Sequence, residues 1–288
     1  MDTKRKTPTV VYHYCGADAF LNILEKGRLW VSDARKTNDR RELEWFKGLA
    51  FAHLDSHSKR DEKLKALYVE LDLHFGLIEG ISDYYVCCFS EDRDSVPQWS
   101  AYADRGAGFA IGFDVNALRM AVGAPLVDSN YSIVPNEKSS DEWGFGPVFY
   151  GEEGVGGDQL DHLMNLIDLN SLLDLDAAKS AREYIDRVCA FCKHPGFVTE
   201  REWRIVHNAS LARKNAGSDG EPPRDTRWRK GAYGLTPYRE TPNIAHCVRE
   251  VVIGPANVDR GAQEHVSQFL KFAGVDAARV SLSESPYR

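Results

Sequence analysis

Three sets of polar side chains lie in stretches that are otherwise apolar, and their types and spacing are suited to chemistry. His13 stands in the strand-like run TVVYHYC, and Glu200 and Glu202 alternate along TEREWRIVH. Trp99 and Tyr102 are three residues apart, so they share one face of a short helix. Each set also has a structural interpretation: a hydrogen-bonded core histidine, a solvated strand edge, and aromatic cover for a sheet edge.

The elements that must position these side chains are centred on residues 84–114. Residues 84–89 are rich in β-branched and aromatic side chains and predict a strand, and residues 108–114 predict a second one. Pro97 suits the first turn of a helix because its missing N–H has no helical partner to lose, which predicts a short helix over residues 98–103. The aromatic pair on this helix either covers the sheet or forms the wall of a pocket for a flat ring.

The rest of the chain predicts a single α+β domain built around antiparallel strands. Residues 208–234 are rich in charged and small side chains and predict a loop. The further predicted strands cover residues 9–15, 28–32, 199–207, 248–253 and 280–285, and two helical insertions cover residues 43–75 and 160–192.

Composition narrows the class of protein. The 288 residues carry a formal net charge of -7, so a general polyanion binder is not indicated. No apolar run approaches the ~18 residues that a membrane span requires, and the N-terminal MDTKRKTP lacks the apolar core of a secretory signal. The six cysteines form no disulfide framework, which is typical of reduced thiols. Together these features predict a cytoplasmic protein that does not enter a membrane.

Two further groups of residues are weighed as possible sites. Cys189, Cys192 and His194 resemble half of a zinc site, but no second pair of ligands accompanies them, so no metal is predicted. Residues 213–230 are locally basic around Trp228. They form either a contact for nucleic acid, through phosphates and stacking, or a plain surface loop.

Five phrases spread along the chain are fairly specific when they occur together. They are YHYCGADAFLNILEKGRLWVSDARKTND, CFSEDRDSVPQWSAYADRGAGFAIGFD, GFVTEREWRIV, VREVVIGP and SESPYR. In this combination the chain resembles a large bacterial family catalogued as domain of unknown function 2971. That name implies no activity.

The order of the polar residues also resembles, at the level of a superfamily, the histidine–tyrosine–glutamate type of ADP-ribosyltransferase. In that superfamily a first strand carries the histidine, a short helix behind a strand carries serine and tyrosine, and a late strand carries the glutamate. Carried onto this chain, these residues are His13, Ser95 with Tyr102, and Glu202 with Glu200 two positions earlier. The resemblance implies a split antiparallel β-sandwich core with flanking helices, and NAD as the substrate.

The resemblance also implies a role for each residue. Cleavage of the nicotinamide–ribose bond develops an oxocarbenium-like charge, which Glu202 would stabilise, while Glu200 would orient the acceptor nucleophile. His13 would orient the ligand, and either Tyr102 or Trp99 would stack on the nicotinamide ring.

The pocket departs from the family pattern at one position. The small residue that follows the histidine is delayed to Gly16, so Tyr14 would line the nicotinamide site and crowd it. Arg35, Asn38 and Arg41 lie in a polar loop that would meet the pyrophosphate, although such a loop is also ordinary solvated surface.

The expected activity is transfer of ADP-ribose from NAD to a macromolecule, either protein or nucleic acid. Such enzymes commonly act as toxins or phage-defence effectors, which would imply a neutralising antitoxin as a partner. Two alternatives stay open. One is a non-catalytic domain on the same fold that binds a nucleotide or a peptide, and the other is an NAD glycohydrolase with water as the acceptor.

Overall fold

The fold is α+β, as predicted, and it is built on one large sheet whose strand pairs are mostly antiparallel. The computed structural model describes residues 7–36, 42–59, 61–78, 83–127, 133–134, 140–150, 157–173, 175–215, 217, 225–231 and 234–286. No helix in these ranges is both long enough and apolar enough to cross a bilayer.

The elements follow one another along the chain without a strict β–α alternation. The strands are β1 (Val10–Cys15), β2 (Trp30–Asp33), β3 (Tyr84–Ser90), β4 (Phe109–Asp114), β5 (Leu126–Val127), β6 (Ile133–Val134), β7 (Trp143–Pro147), β8 (Phe149–Tyr150), β9 (Cys192–Lys193), β10 (Glu202–Asn208), β11 (Arg227–Gly231), β12 (Gly234–Glu240), β13 (Val248–Ile253) and β14 (Arg279–Leu282). The helices are α1 (Ala17–Lys26), α2 (Trp45–Ser58), α3 (Glu62–Leu73), α4 (Val96–Tyr102), α5 (Val115–Val122), α6 (Gly157–Leu172), α7 (Ala177–Ala190), α8 (Ala209–Asn215) and α9 (Ala262–Phe272).

Strand β3 is the branch point of the sheet. The main path runs β14-β13-β4-β1-β3-β10-β7-β5-β6, and a branch runs from β3 through β2 and β12 to β11. One edge of β3 pairs with β10 along its whole length. The opposite edge is shared, because β1 pairs with it at Ser90 and β2 pairs with it at Tyr85 and Val86. Between these pairings β1 and β2 separate, and we refer to residues 87–89 of this edge as the gap.

The two faces of the sheet are covered by different helices. Side chains alternate between faces along each strand, so laterally paired residues share a face. The front face packs under α4 and under the α2, α3, α6 and α7 group, through Tyr12, Tyr14, Tyr84, Val86, Ala110 and Val206. The back face packs against α1, α5 and α9, through Val11, Cys87, Phe89, Ile111, Trp203 and Ile205.

Several elements differ from the sequence prediction. The predicted helical insertion over residues 160–192 ends at Ala190, and Cys192 belongs to β9. The strand expected from Thr199 begins at Glu202, because residues Pro195–Glu200 form a 3-10 helix and Arg201 has a left-handed backbone with φ 44. The predicted loop over residues 208–234 contains α8 and β11. Its charged and small residues hide the strand, which pairs antiparallel with β12 at the end of the branch.

Candidate functional site

Glu202 begins β10 on the front face, and its carboxylate is enclosed between two cations. Arg204 Nε donates to Oε1 at 2.7 Å, and Lys193 Nζ donates to Oε2 at 3.1 Å. Arg204 is two residues further along the strand and therefore on the same face. Its Nη1 also donates to the carbonyl of Ala190, at the end of α7, at 2.9 Å. Only 3% of Glu202 is exposed, so this carboxylate belongs to an internal ion-pair network, which excludes the solvated strand edge.

Lys193, at the end of β9, connects Glu202 to Glu200. Its Nζ lies 2.6 Å from Oε2 of Glu200 and 4.5 Å from the ring centroid of Phe197. The Tyr102 hydroxyl donates to Oε1 of Glu200 at 2.8 Å. Tyr102 is 39% exposed and the Glu200 side chain 15%, so this end of the network meets solvent. We call these five side chains, Tyr102, Lys193, Glu200, Glu202 and Arg204, the Lys193 cluster.

The charges of the cluster decide the protonation of its members. Burial by itself raises the pKa of Glu202, but the charges of Arg204 and Lys193 outweigh it and lower that pKa to about 2. Burial and the neighbouring Glu200 carboxylate raise the pKa of the Tyr102 phenol. At neutral pH the Glu202 carboxylate is therefore ionised. The Tyr102 phenol stays protonated and donates a hydrogen bond to Glu200.

Helix α4 presents Tyr102 and uses its other predicted site residues for packing. Trp99 is wholly buried, its Nε1 donates to Asp94 at 2.6 Å, and its ring meets Tyr14 edge-on at a centroid distance of 4.8 Å. Ser95 occupies the N-cap position without a side-chain cap, and its N–H donates to the Tyr14 hydroxyl at 3.0 Å. Ser95, Trp99 and Tyr14 thus hold α4 on the sheet. Of the two aromatic residues, Trp99 is buried and Tyr102 is exposed to solvent.

His13 lies at the gap. Its Nδ1 is 2.9 Å from the carbonyl oxygen of Cys88, and because a carbonyl only accepts, Nδ1 carries the proton and donates. Burial lowers the pKa of His13, and the charge of Arg229 lowers it further, so the ring is neutral. Its Nε2 has no hydrogen-bond partner within the described part of the chain, and the residue is partly exposed although its neighbours Tyr12 and Tyr14 are buried.

The structure brings Tyr102, Glu200 and Glu202 together but directs His13 to the other face. Ser90 pairs with both Tyr12 and Glu202, so these three residues share the front face. His13 follows Tyr12 and points to the back face, where its ring meets Phe89 edge-on at a centroid distance of 5.7 Å. The side chains of His13 and Glu202 are therefore on opposite faces of the sheet.

Cys88 is the residue that joins the two parts. Its carbonyl accepts from His13, while its thiol, on the front face, donates to the Glu202 carboxylate. It pairs laterally with Arg204, which places it between the gap and the Lys193 cluster. Cys88 was not among the site residues predicted from the sequence.

Lys193 and Arg204 were also missed as members of the site. Arg204 carried a signal, since it follows Glu202 by two residues and a carboxylate with a cation on the same strand face predicts an internal ion pair. Lys193 carried none, because it lies in a strand of two residues that the sequence pattern does not reveal. Ser90 was missed too: its Oγ donates to the backbone carbonyl of Glu200 at 2.8 Å, a contact that Ser95 does not make.

The described residues contain no group of three or more His, Cys, Asp or Glu side chains placed to hold a metal ion. Cys189 and Cys192 are both buried, at the end of α7 and in β9. The His194 Nδ1 atom accepts from the N–H of Gly196 at 3.1 Å and caps the 3-10 helix that leads to Glu200.

One family model matches part of the chain. Residues 98–205 match the model of a family described as a protein of unknown function, DUF2971. This stretch runs from α4 into β10 and contains every member of the Lys193 cluster. No curated protein and no solved structure matches the chain.

Proposed function

We propose that the protein binds NAD on the front face of the sheet, beside the gap, and transfers its ADP-ribose to a macromolecular acceptor. The observation that carries the proposal is the hydrogen bond of Tyr102 to Glu200, which Lys193 connects to Glu202. The hydroxyl of Tyr102 reaches Glu200 at 2.8 Å across 98 positions of sequence, and Lys193 joins Glu200 to Glu202. Aromatic, carboxylate and histidine groups are then within one region of the sheet, at the branch of β3.

The sequence-based roles of the two glutamates are exchanged in this proposal. Glu202 is enclosed by Arg204 and Lys193, whereas Glu200 is accessible and held beside Tyr102. Glu200 is therefore the carboxylate that faces the ribose, and Glu202 is a positioning residue that holds Lys193. The exposed ring of Tyr102 supplies the flat surface on which nicotinamide stacks.

The proposed reaction is a substitution at C1′ of the nicotinamide ribose. The C1′–N bond breaks and its electron pair leaves with neutral nicotinamide. The positive charge that develops on the ribose competes with Lys193 for the carboxylate of Glu200, which stabilises it. A nucleophilic atom of the acceptor then bonds to C1′ and releases its proton.

The test uses NAD labelled on the adenylate phosphate, incubated with the purified protein and a cell lysate. Wild-type protein should transfer label to macromolecules, and Glu200→Gln should lower the rate by about 100- to 1000-fold. Glu25→Gln, an exposed change on α1, is the matched control and should keep the wild-type rate. Protease and nuclease digestion of the labelled product then identifies the acceptor class.

Two results would overturn parts of the proposal. Equal rates for wild type and Glu200→Gln would remove Glu200 from the reaction. Release of nicotinamide without labelled macromolecules would make water the acceptor and the protein an NAD glycohydrolase.

A non-catalytic nucleotide-binding domain is the second candidate function, and the charge balance of the Lys193 cluster favours it. Two carboxylates, of Glu200 and Glu202, face two cations, of Lys193 and Arg204. A cluster balanced in this way holds its charges in the resting state and leaves no free carboxylate for a ribose cation. NAD binding measured by calorimetry, with neither nicotinamide release nor label transfer, would establish this function instead.

A further inference from the structure

Arg229, on β11 at the end of the sheet's branch, is a cation that the Lys193 cluster does not use. We infer that its guanidinium anchors an anion site at the gap, which takes the diphosphate of a nucleotide. The identity of the nucleotide rests on the proposed function, because an NAD-type ligand carries two phosphates between its ribosyl groups. The anion site itself rests on the surroundings of Arg229 alone.

Neutral groups hold the Arg229 guanidinium in place. Its Nη2 donates to Ser32 Oγ at 3.0 Å, and its Cζ lies 5.9 Å from the centroid of the Trp30 ring. Ser32 and Trp30 both belong to β2, the strand that borders the gap. A hydroxyl and an aromatic face orient a guanidinium without neutralising it, so its charge stays available to a ligand.

The hydrogen-bonding capacity of Arg229 is not filled within the described ranges. Its Nε is buried and has no partner there, and no carboxylate of those ranges forms an ion pair with it. Its neighbours on the same hairpin differ: Arg227 pairs with Glu240 at 3.1 Å, and Arg239 Nε pairs with Asp225 at 3.0 Å. A half-buried cation and a buried unpaired N–H are both unfavourable, and an anion with several acceptor oxygens satisfies both.

Two side chains at the gap, those of His13 and Cys87, are uncharged at neutral pH. Burial lowers the pKa of His13 and keeps it neutral, and burial raises the pKa of the Cys87 thiol to about 12. Ser32, which accepts the hydrogen bond of Arg229, pairs with Val86 beside the gap, and this places the guanidinium close to the gap. A phosphate oxygen therefore meets a fork of guanidinium donors. The Glu202 carboxylate, whose charge also acts on Cys87, is already paired with Arg204 and Lys193.

Arg35 is less suited to this role than the sequence analysis expected. Its guanidinium is committed to Asp33 at 2.9 Å and to Asp83 at 2.9 Å, so a phosphate would have to displace two carboxylates. Asn38 and Arg41, which were predicted with it, lie outside the described residues.

The experiment measures binding rather than turnover. Inorganic pyrophosphate, ADP-ribose and adenosine are titrated by calorimetry into wild-type protein, Arg229→Gln, Arg229→Lys and the matched control Arg227→Gln. Arg229→Gln should weaken pyrophosphate and ADP-ribose binding by about tenfold or more and leave adenosine binding unchanged. Arg229→Lys, which keeps the charge but not the fork, should fall between, and Arg227→Gln should bind like wild type. Thermal melts of each variant establish that it is folded.

The outcomes separate this inference from the proposed function. Loss of pyrophosphate binding in Arg229→Gln supports the anion site even if the wild type never cleaves NAD. Unchanged ADP-ribose binding in a folded Arg229→Gln overturns the site even if NAD is cleaved. Wild-type protein that binds neither pyrophosphate nor ADP-ribose also overturns it.

Discussion

The ammonium nitrogen of Lys193 lies 2.6 Å from a carboxylate oxygen of Glu200, and both side chains are largely shielded from water. A third residue, Glu202, binds the same ammonium at 3.1 Å. One cation thus fixes the spacing of the two glutamates, although a kink at Arg201 separates them along the backbone. The position of Glu200, the more exposed of the two carboxylates, depends on a lysine from a different element.

Replacement of Lys193 by methionine should destabilise the protein strongly. The change keeps much of the side-chain volume but leaves Glu200 and Glu202 facing each other without the ammonium. Breaking a buried ion pair in this way typically costs about 3–5 kcal/mol. Urea unfolding followed by tryptophan fluorescence measures the loss. Lys271→Met, an exposed change on α9, is the control and should stay within about 0.5 kcal/mol of wild type. Equal stability of the two variants would show that the ion pairs contribute nothing.

Acid should remove the contribution of Glu202 to stability. The pKa of this carboxyl falls from its ordinary value of 4.5 to about 2 on folding. A lowered pKa stabilises the fold above 4.5, and the contribution is lost as pH falls from 4.5 towards 2. The difference in unfolding free energy between wild type and Glu202→Gln should therefore decrease from pH 7 to about pH 3. Other carboxyls titrate in both proteins and cancel. A free-energy difference that stays constant over this pH range would contradict the lowered pKa of Glu202.

Local sequence patterns predicted much of the fold. Apolar runs predicted strands β1, β3, β4 and β13, and Pro97 predicted the first turn of α4. Strand β11 was not readable because its sequence, RWRKG, is charged and lies on an exposed hairpin. Its conformation is determined by its pairing with β12 rather than by a pattern in its own sequence.

The sequence predicted some residues of the site, and the residues that it did not predict depend on contacts between distant segments of the chain. Tyr102, Glu200 and Glu202 stand out by residue type, and the structure places them in one cluster. Lys193 could not be identified, since only the packing of β9 beside β8 brings it to the glutamates. The face to which His13 points depends on the lateral pairing of β1 with β3 and β4, and a single sequence does not give that register.

Asp94 should control the order of the C-terminal segment. Its carboxylate accepts from Trp99 Nε1 and Ser283 Oγ at 2.6 Å each, and from the backbone N–H groups of Glu284 and Ser285 at 2.6 Å and 3.1 Å. Asp94→Asn replaces one acceptor oxygen by a donor and breaks part of this set. Hydrogen exchange at Glu284 and Ser285 should accelerate by about tenfold or more.

The control for this prediction is Asp276→Asn, an exposed aspartate that also lies near the C-terminus. It should leave exchange at Glu284 and Ser285 unchanged. If Asp94→Asn also leaves both amides protected, strand β14 alone orders the segment, and Asp94 serves only to hold α4.

His13 should remain neutral as the solution is acidified through the ordinary histidine pKa of 6.5. Burial is the main cause of the lowered pKa, and the charge of Arg229 adds to it, while the bond to the Cys88 carbonyl opposes both. Long-range ¹H–¹⁵N spectra should show the Nδ1–H form of the ring at neutral pH, and this form should persist to lower pH than in an ordinary histidine. His265 provides a contrast in the same spectra, because its contact with Asp259 raises its pKa above 6.5 and it should be protonated before His13 as the pH falls.

Since folding favours the neutral form of His13, its contribution to stability is present above pH 6.5 and is lost below it. An imidazole of His13 that titrates at or above 6.5 would instead be solvated at the gap or paired with an acid, and neither burial nor the nearby charge of Arg229 would then describe the ring.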